Sequence, residues 1–419
     1  QFSKEKSTMK KLFCFLSMTL GIWLFANPLT FSYQDDLLMY SDLCIGLLIV
    51  LFSTCFFYTK KKGLAWGIAG FGIWLKLAPL IFWAPQSIIY LNDTLIGSLA
   101  VVFGFQLAMP ETSFENTSFC PKGWSFNPSS WTARVLTIAL ALVCWFFSRY
   151  MAAYQLGYIS QVWDPFFLNG TSKVLNSDVS HAFPISDAGL GAFGYSLEFL
   201  LGWQGGSKRW AKNPWLVCLF GFLVIPVSII SVLLIILQPV VVGAWCSLCL
   251  ATAFFMSIMI LFTAPELVAT LLLLKEAKHN HCFWYTFWHG IHVEKKNSKL
   301  LRQSFGITLP WGLLLLIILG IWLIISASYI SSSFLINIHY ILGPLVVFIS
   351  LISCAEVFRA LRFLNLLFGG FLIVTVWFHD EISLFLIFHN LLLGFLICFL
   401  SFPKGKVLEK YGSWQRLIF

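Results

Sequence analysis

Charge is scarce in this chain. Only 11% of its 419 residues are Asp, Glu, Lys or Arg, and 59% are hydrophobic. Soluble domains carry about 25% charged residues. A soluble fold is therefore excluded, and the chain reads as an all-α integral membrane protein. A small-residue cleavage site is also missing after the basic N-terminal region, so the first apolar run reads as a retained helix. The stretch from Met151 to Gly189 holds no cysteine, although the chain has 11. Few charges interrupt the apolar runs, which argues against a transporter.

The apolar runs lie at about 12–29, 39–58, 64–84, 93–109, 132–150, 188–203, 214–237, 241–263, 307–327, 334–354, 363–378 and 383–401. They predict about twelve transmembrane helices, with the run at 188–203 the shortest. Of the 27 Lys and Arg, all but Lys76, Arg149 and Lys173 fall in segments on one side. Lys4, Lys6, Lys60, Lys61, Lys62, Arg134, Lys208, Arg209, Lys295, Lys296, Lys299, Arg302, Arg359 and Arg362 are among them. The other side carries Asp35, Asp36, Asp93, Asp164, Asp178, Asp187, Asp380 and Glu381. By the positive-inside rule both termini are cytoplasmic, in the inner (cell) membrane. The net charge of +9 is then the signature of that face, which meets membrane lipid and needs no nucleic-acid partner. Lys76, one turn from its membrane exit, reads as a snorkelling side chain.

An internal repeat flanks the middle of the chain. Gly21-Ile22-Trp23-Leu24 is followed by Asn27-Pro28, Asp42 and Gly46. Gly72-Ile73-Trp74-Leu75 is followed by Ala78-Pro79, Asn92, Asp93 and Gly97. A third copy runs from Gly320-Ile321-Trp322-Leu323 to Asn337 and Gly343. A fourth, worn copy runs from Gly369-Gly370-Phe371-Leu372 to His389-Asn390 and Gly394. The period of about 50 residues makes each unit a helix pair. The pattern resembles the SPW repeat of bacterial membrane proteins.

Between the repeat pairs stands Trp245-Cys246-Ser247-Leu248-Cys249, inside an apolar run. Thiols at i and i+3 share a helical face and are close enough to interconvert as dithiol and disulfide. The same spacing also arises from two small apolar residues, because buried free cysteine is common. The pair follows the turn at Gln238-Pro239, near the outer, periplasmic end of its helix. That end favours thiolate at Cys246, the sulfur expected to be nearer water, with Cys249 deeper. Cys120 and Cys282 fall on the inner side, and the other seven cysteines read as packing residues.

The long outer loop contains Trp163-Asp164-Pro165-Phe166-Phe167 and then Ser177, Ser180, His181, Phe183, Asp187, Ala188, Leu190 and Gly191. A long, partly apolar loop before a glycine-rich helix start reads as a cap. Four helices, a capping loop and a Trp-Cys-x-x-Cys-x-x-Thr motif ending at Thr252 resemble the vitamin K epoxide reductase family over residues 130–265. The resemblance implies a membrane thiol–quinone oxidoreductase with Cys246 and Cys249 as catalytic residues. It also implies a quinone site, for ubiquinone or menaquinone, drawing on Trp245, Thr252, Ser177 and Phe183. Family members carry a second cysteine pair in the loop as a shuttle. This chain has none, so an external thioredoxin-like thiol–disulfide protein is the expected partner. Locally, Trp245 equally fits an interfacial anchor, and Thr252 back-bonding to its own helix. Ser177, Ser180 and Asp187 also fit helix capping.

The expected domains are an SPW-like repeat pair at 8–110, a reductase-like four-helix bundle at 130–265 with its cap loop at 154–188, a basic inner loop at 266–305, and a divergent repeat pair at 306–402. His279, His281, Cys282, His289 and His292 in the inner loop suggest zinc. The aromatic and basic residues around them favour an interfacial helix, and no metal is expected. The alternative to an enzyme is a non-catalytic membrane scaffold that keeps the fold.

Overall fold

With no water in a bilayer core, each spanning segment must satisfy its own backbone hydrogen bonds, and a helix does so. In the computed structural model the described residues are 2–109, 119–291, 305–378 and 383–418, with backbone only at 2–7 and 378. The side chains of Lys4 and Lys6 therefore fall outside the description, as do His292, Lys295, Lys296, Lys299, Arg302, Asp380 and Glu381 altogether.

The helices are α1 (Phe2–Thr30), α2 (Asp36–Thr59), α3 (Lys62–Ile81), α4 (Ser87–Ala108), α5 (Trp131–Gln155), α6 (Gly170–Leu175), α7 (Asp187–Trp203), α8 (Arg209–Lys212), α9 (Pro214–Leu237), α10 (Ser247–His279), α11 (Phe283–His289), α12 (Trp311–Ser326), α13 (Ser333–Ile352), α14 (Leu364–Val374) and α15 (Leu384–Ser401). Among the described residues 11 helices are long and apolar enough to cross a membrane. The chain is an all-α multi-pass membrane protein. The expected twelfth span is α7, which at 17 residues reaches only about 25 Å. The run expected at 241–263 is displaced: α9 continues into a π-turn at Gln238–Val242, and α10 opens only at Ser247 and extends to His279. The expected inner loop from 266 is thus helical for its first part. It also holds α11, whose Trp284, Tyr285 and Trp288 are exposed as on an interfacial helix.

The chain forms two compact units: residues 1–113, 145–163 and 175–200, and residues 114–144, 164–174 and 201–419. In the first, α1–α4 hold the first two repeats. A Cβ on Gly21 would lie 2.7 Å from the Gly46 carbonyl oxygen, and one on Gly72 would lie 2.6 Å from that of Gly97. In the second unit, a Cβ on Gly320 would lie 2.8 Å from the Gly343 oxygen, and one on Gly369 would lie 2.8 Å from that of Gly394. The repeat's glycines are where the two helices of each pair touch backbone to backbone, as small residues allow in membranes.

The repeat's tryptophans reach across between units of a pair. Trp23 Nε1 donates to Asn92 Oδ1 at 3.0 Å, Trp74 Nε1 to Ser41 Oγ at 2.9 Å, and Trp322 Nε1 to His389 Nε2 at 3.2 Å. Four residues before each second glycine stand Asp42, Asp93, His339 and Asn390, all fully buried. The third copy therefore aligns through His339, not Asn337, because only His339 takes the inward position one turn before Gly343.

Buried charge is more frequent than the apolar runs suggested. Lys76 is 4% exposed and donates to Ser98 Oγ at 2.6 Å, so it does not snorkel. Arg134, Arg209, Arg359 and Arg362, counted with the inner face, are buried as well. Arg209 forms a two-pronged pair with Glu266, each prong 2.6 Å, and Ser129 also donates to Glu266. Arg134 donates to the carbonyls of Gly202 (2.6 Å), Gln204 (2.9 Å) and Gly205 (2.8 Å), at the end of α7. The scarcity of charge therefore no longer counts against ion binding.

Candidate active site

The site is built where α10 begins. Pro239 sits in the π-turn, and Gly243 takes a left-handed φ of 66° that turns the chain back. Gln238, 4% exposed, accepts from the Cys246 backbone N–H at 3.0 Å and fixes the returning strand of chain. Cys246 then adopts an extended backbone and becomes the N-cap: its sulfur accepts from the Cys249 N–H at 3.1 Å, as a serine or aspartate oxygen does elsewhere. The pair is thus not inside the helix but straddles its first turn. Cys246 and Cys249 are joined in a disulfide, with Cα atoms 5.3 Å apart, within the usual span of such a bond.

The two cysteines differ in burial. Cys246 is fully buried, whereas Cys249 is partly exposed. Gln238 on one side and the chain segment from Asp164 on the other account for this. Ser247 donates to Asp164 Oδ1, which also accepts from the Phe167 N–H at 3.0 Å. Asp164 Oδ2 accepts from the N–H and hydroxyl of Thr171 at 2.7 and 2.8 Å. Burial alone would raise the Asp164 carboxyl, but the donors Ser247, Phe167 and Thr171 together outweigh it and hold it down to about 2. A Cβ on Gly170 would run into the Trp245 carbonyl oxygen, so the segment lies directly on the cysteine loop. The Trp245 ring rests between Phe167 (centroids 6.5 Å apart) and Tyr340 (5.6 Å).

Of the residues expected to contact a quinone, Trp245 adjoins the cysteines in sequence and offers an aromatic face. Thr252 is 5% exposed and donates to Leu248 O (3.1 Å) and Cys249 O (2.8 Å) of its own helix, so its hydroxyl proton is spent there. Ser177 and Phe183 belong to the first unit. There the Ser177 carbonyl accepts from Ser180 at 2.9 Å, and Phe183 is 64% exposed. Capping at the α7 start falls to Ser186, which accepts from the Gly189 N–H at 2.9 Å, rather than to Asp187. Asp187 instead receives the Gln155 amide at 2.6 Å. Among the described residues no three His, Cys, Asp or Glu side chains gather as a metal site.

Residues 135–264 match the vitamin K epoxide reductase family. This segment contains the disulfide, and the match supports oxidoreductase chemistry at the level of the family. Residues 12–107, the first repeat pair, match the SPW repeat domain. No curated protein and no solved structure matches the chain. Asp164, Gln238 and Ser247, noted in the sequence only as a loop acid, a turn residue and part of the motif, are site residues here. The Asp-Pro-Phe-Phe run is a turn signal, but its tie to Ser247 spans 83 positions and leaves no local trace.

Proposed function

We propose that the chain is a membrane thiol–quinone oxidoreductase whose working group is the Cys246–Cys249 pair. The observation that carries this is the disulfide across the first turn of α10, inside the family-matched segment. A quinone, when bound, takes up or gives back the two electrons and two protons that interconvert it with its quinol. The pair balances this: two thiols lose two electrons and two protons as the S–S bond forms, and regain them as it breaks.

The quinone fit is partial. Cys249 is reachable and Trp245 supplies an aromatic face, but the Thr252 hydroxyl is committed to its helix. The exposure of Cys249 makes it the entry sulfur. An external thiolate attacks Cys249, the S–S bond breaks, and Cys246 leaves as thiolate. At the N-cap Cys246 is met by the Cys249 N–H and the positive end of the helix, the environment that suits an anion. No cysteine lies between Met151 and Gly189, so the external partner, a thioredoxin-like thiol protein, exchanges with the pair itself.

The Lys/Arg distribution supports an inner-membrane location, with both termini cytoplasmic and the pair near the outer face. The exposed Cys282 reports on this. On intact cells it should resist a membrane-impermeant thiol reagent until the membrane is opened.

The test uses quinone-dependent dithiol oxidation by the purified protein, with extraction of co-purified quinone. Changing either Cys246 or Cys249 to Ser should lower the rate by on the order of 10³-fold or more. In Cys246→Ser the lone Cys249 thiolate can attack the disulfide of an oxidised thioredoxin-like partner, releasing one partner thiolate, and the mixed disulfide should persist because Cys246 is no longer there to displace the partner. If the parent protein oxidises dithiol with quinone no faster than the double Cys→Ser protein does, the cysteine pair does not turn over and the chain is a non-catalytic membrane scaffold.

A further inference from the structure

The first repeat pair carries a buried polar centre that the thiol chemistry does not use. Asp42 on α2 and Asp93 on α4 occupy the same repeat position and are both fully buried. Their carboxyl groups lie within hydrogen-bonding reach of each other. Tyr33, in the α1–α2 connection, donates to Asp42 Oδ2 at 2.5 Å. Asn92 donates to Asp93 Oδ1 at 3.3 Å and itself receives Trp23.

A second observation points into this centre. Asn27 is 1% exposed, and neither its amide nitrogen nor its oxygen has a hydrogen-bond partner. Its side chain lies against Tyr33, the donor to Asp42. Six residues after the repeat's first glycine, Asn27 corresponds to Ser326, whose hydroxyl lies 3.0 Å from His339 Nδ1 at the centre of the second pair. Asp42 Oδ1 and Asp93 Oδ2 are likewise buried without partners.

Two carboxylates in contact in a dry site cannot both be ionised. A hydrogen bond between two carboxyl groups needs a proton on one of them, since an ionised carboxylate only accepts. Among the described residues no cation closes on the pair. Lys76 on α3 is spent on Ser98, five positions beyond Asp93. The other titratable groups facing the centre are the phenols of Tyr33 and of Tyr158, which follows α5. Tyr158 donates to Ala84 O at 2.6 Å. Among the described side chains of α1, the amide of Asn27 faces the centre.

We propose that the first repeat pair is a proton-binding site, in which Asp42 and Asp93 hold one proton between them in a centre closed by Tyr33 and Asn27. Asn27, with the free oxygen of each acid, gives that proton alternative acceptors inside the membrane. The site is independent of the cysteine pair, and its test does not depend on that activity.

A hydrophobic carbodiimide, which reacts with un-ionised carboxyls in apolar surroundings, is applied to the purified full-length protein, and adducts are mapped by peptide mass spectrometry. The expected result is one adduct on the aspartate pair, on Asp42 or Asp93 and never on both, counted apart from any adduct on the buried Glu198. It should fall several-fold from neutral to high pH and be indifferent to sodium. Infrared spectroscopy of the same protein needs no reagent access: the carbonyl stretch of an un-ionised acid should be present at neutral pH. It should lose intensity in the Asp42→Asn, Asp93→Asn double variant. An unchanged infrared band in that variant overturns the proposal, as does carbodiimide labelling suppressed by sodium but not by potassium. The latter result would make the centre a metal-cation site.

Discussion

The two repeat pairs share one backbone solution and differ at their centres. Both pack glycine on glycine, at Gly21/Gly46 and Gly72/Gly97 in one and Gly320/Gly343 and Gly369/Gly394 in the other. The first then buries two carboxyls, whereas the second buries an imidazole and an amide, with His339 Nε2 3.1 Å from Asn390 Oδ1. The tryptophan links follow the same logic. Where the fourth copy has Phe371 in place of Trp, the facing position in the third copy is Ile338, so the donor and its acceptor are absent together. The lesson is that helix approach is set by what cannot be added at the glycines. The polar interior is free to vary, provided its members are matched.

The largest effect should come from breaking what the pairs share. Gly97→Ala and Gly343→Ala each place a methyl against a carbonyl oxygen and should lower stability by about 3 kcal/mol, the upper range for overpacking. The adjacent residues Gly369 and Gly370 give an internal control, because nothing lies within 4 Å of a Cβ on Gly370. Gly369→Ala should destabilise, while Gly370→Ala should be neutral or slightly stabilising. Thermal unfolding in detergent reads both, and equal losses at the two sites would refute the glycine-contact account.

A smaller effect separates the centres. His339→Leu removes the imidazole's hydrogen bonds to Ser326 and Asn390, which keep Leu323 O and His389 as partners, and should cost about 2 kcal/mol, two buried hydrogen bonds. Asp42→Asn keeps the shape and supplies an N–H where the shared proton lay, so it should stay within about 1 kcal/mol of the parent. If Asp42→Asn proved the more damaging in denaturation experiments, the two centres would not be matched in the way described. The smallest effect tests the cross-links: Trp23→Phe, Trp74→Phe and Trp322→Phe should each lose about 1 kcal/mol, one hydrogen bond apiece. Phe371→Trp should gain nothing, since Ile338 cannot accept.

The sequence made the period legible because a repeated constraint leaves a repeated residue, and glycine in a membrane helix is a strong one. It made the cysteine pair legible because disulfide reach across one turn depends only on spacing. Helix phase was not legible at the third copy, where Asn337 and His339 both offered a polar side chain and only packing decides which turns inward. Buried charges were missed for a related reason. Arg209 and Glu266 are 57 positions apart, so either one alone looks like a residue bound for water. The burial of Cys246 is not legible in the motif because it depends on Gln238 and Asp164, neither of which belongs to it.

A helix normally has to reach water because its last carbonyls have no partners within the helix. At the end of α7 the guanidinium of Arg134 supplies those partners, held over the Trp131 ring with 3.9 Å between guanidinium carbon and ring centre. Arg209 adds donors to Leu201 and Gln204. The obligation to surface is thereby lifted. A segment too short for the bilayer can stop at depth, its terminus hydrated, in effect, by arginine.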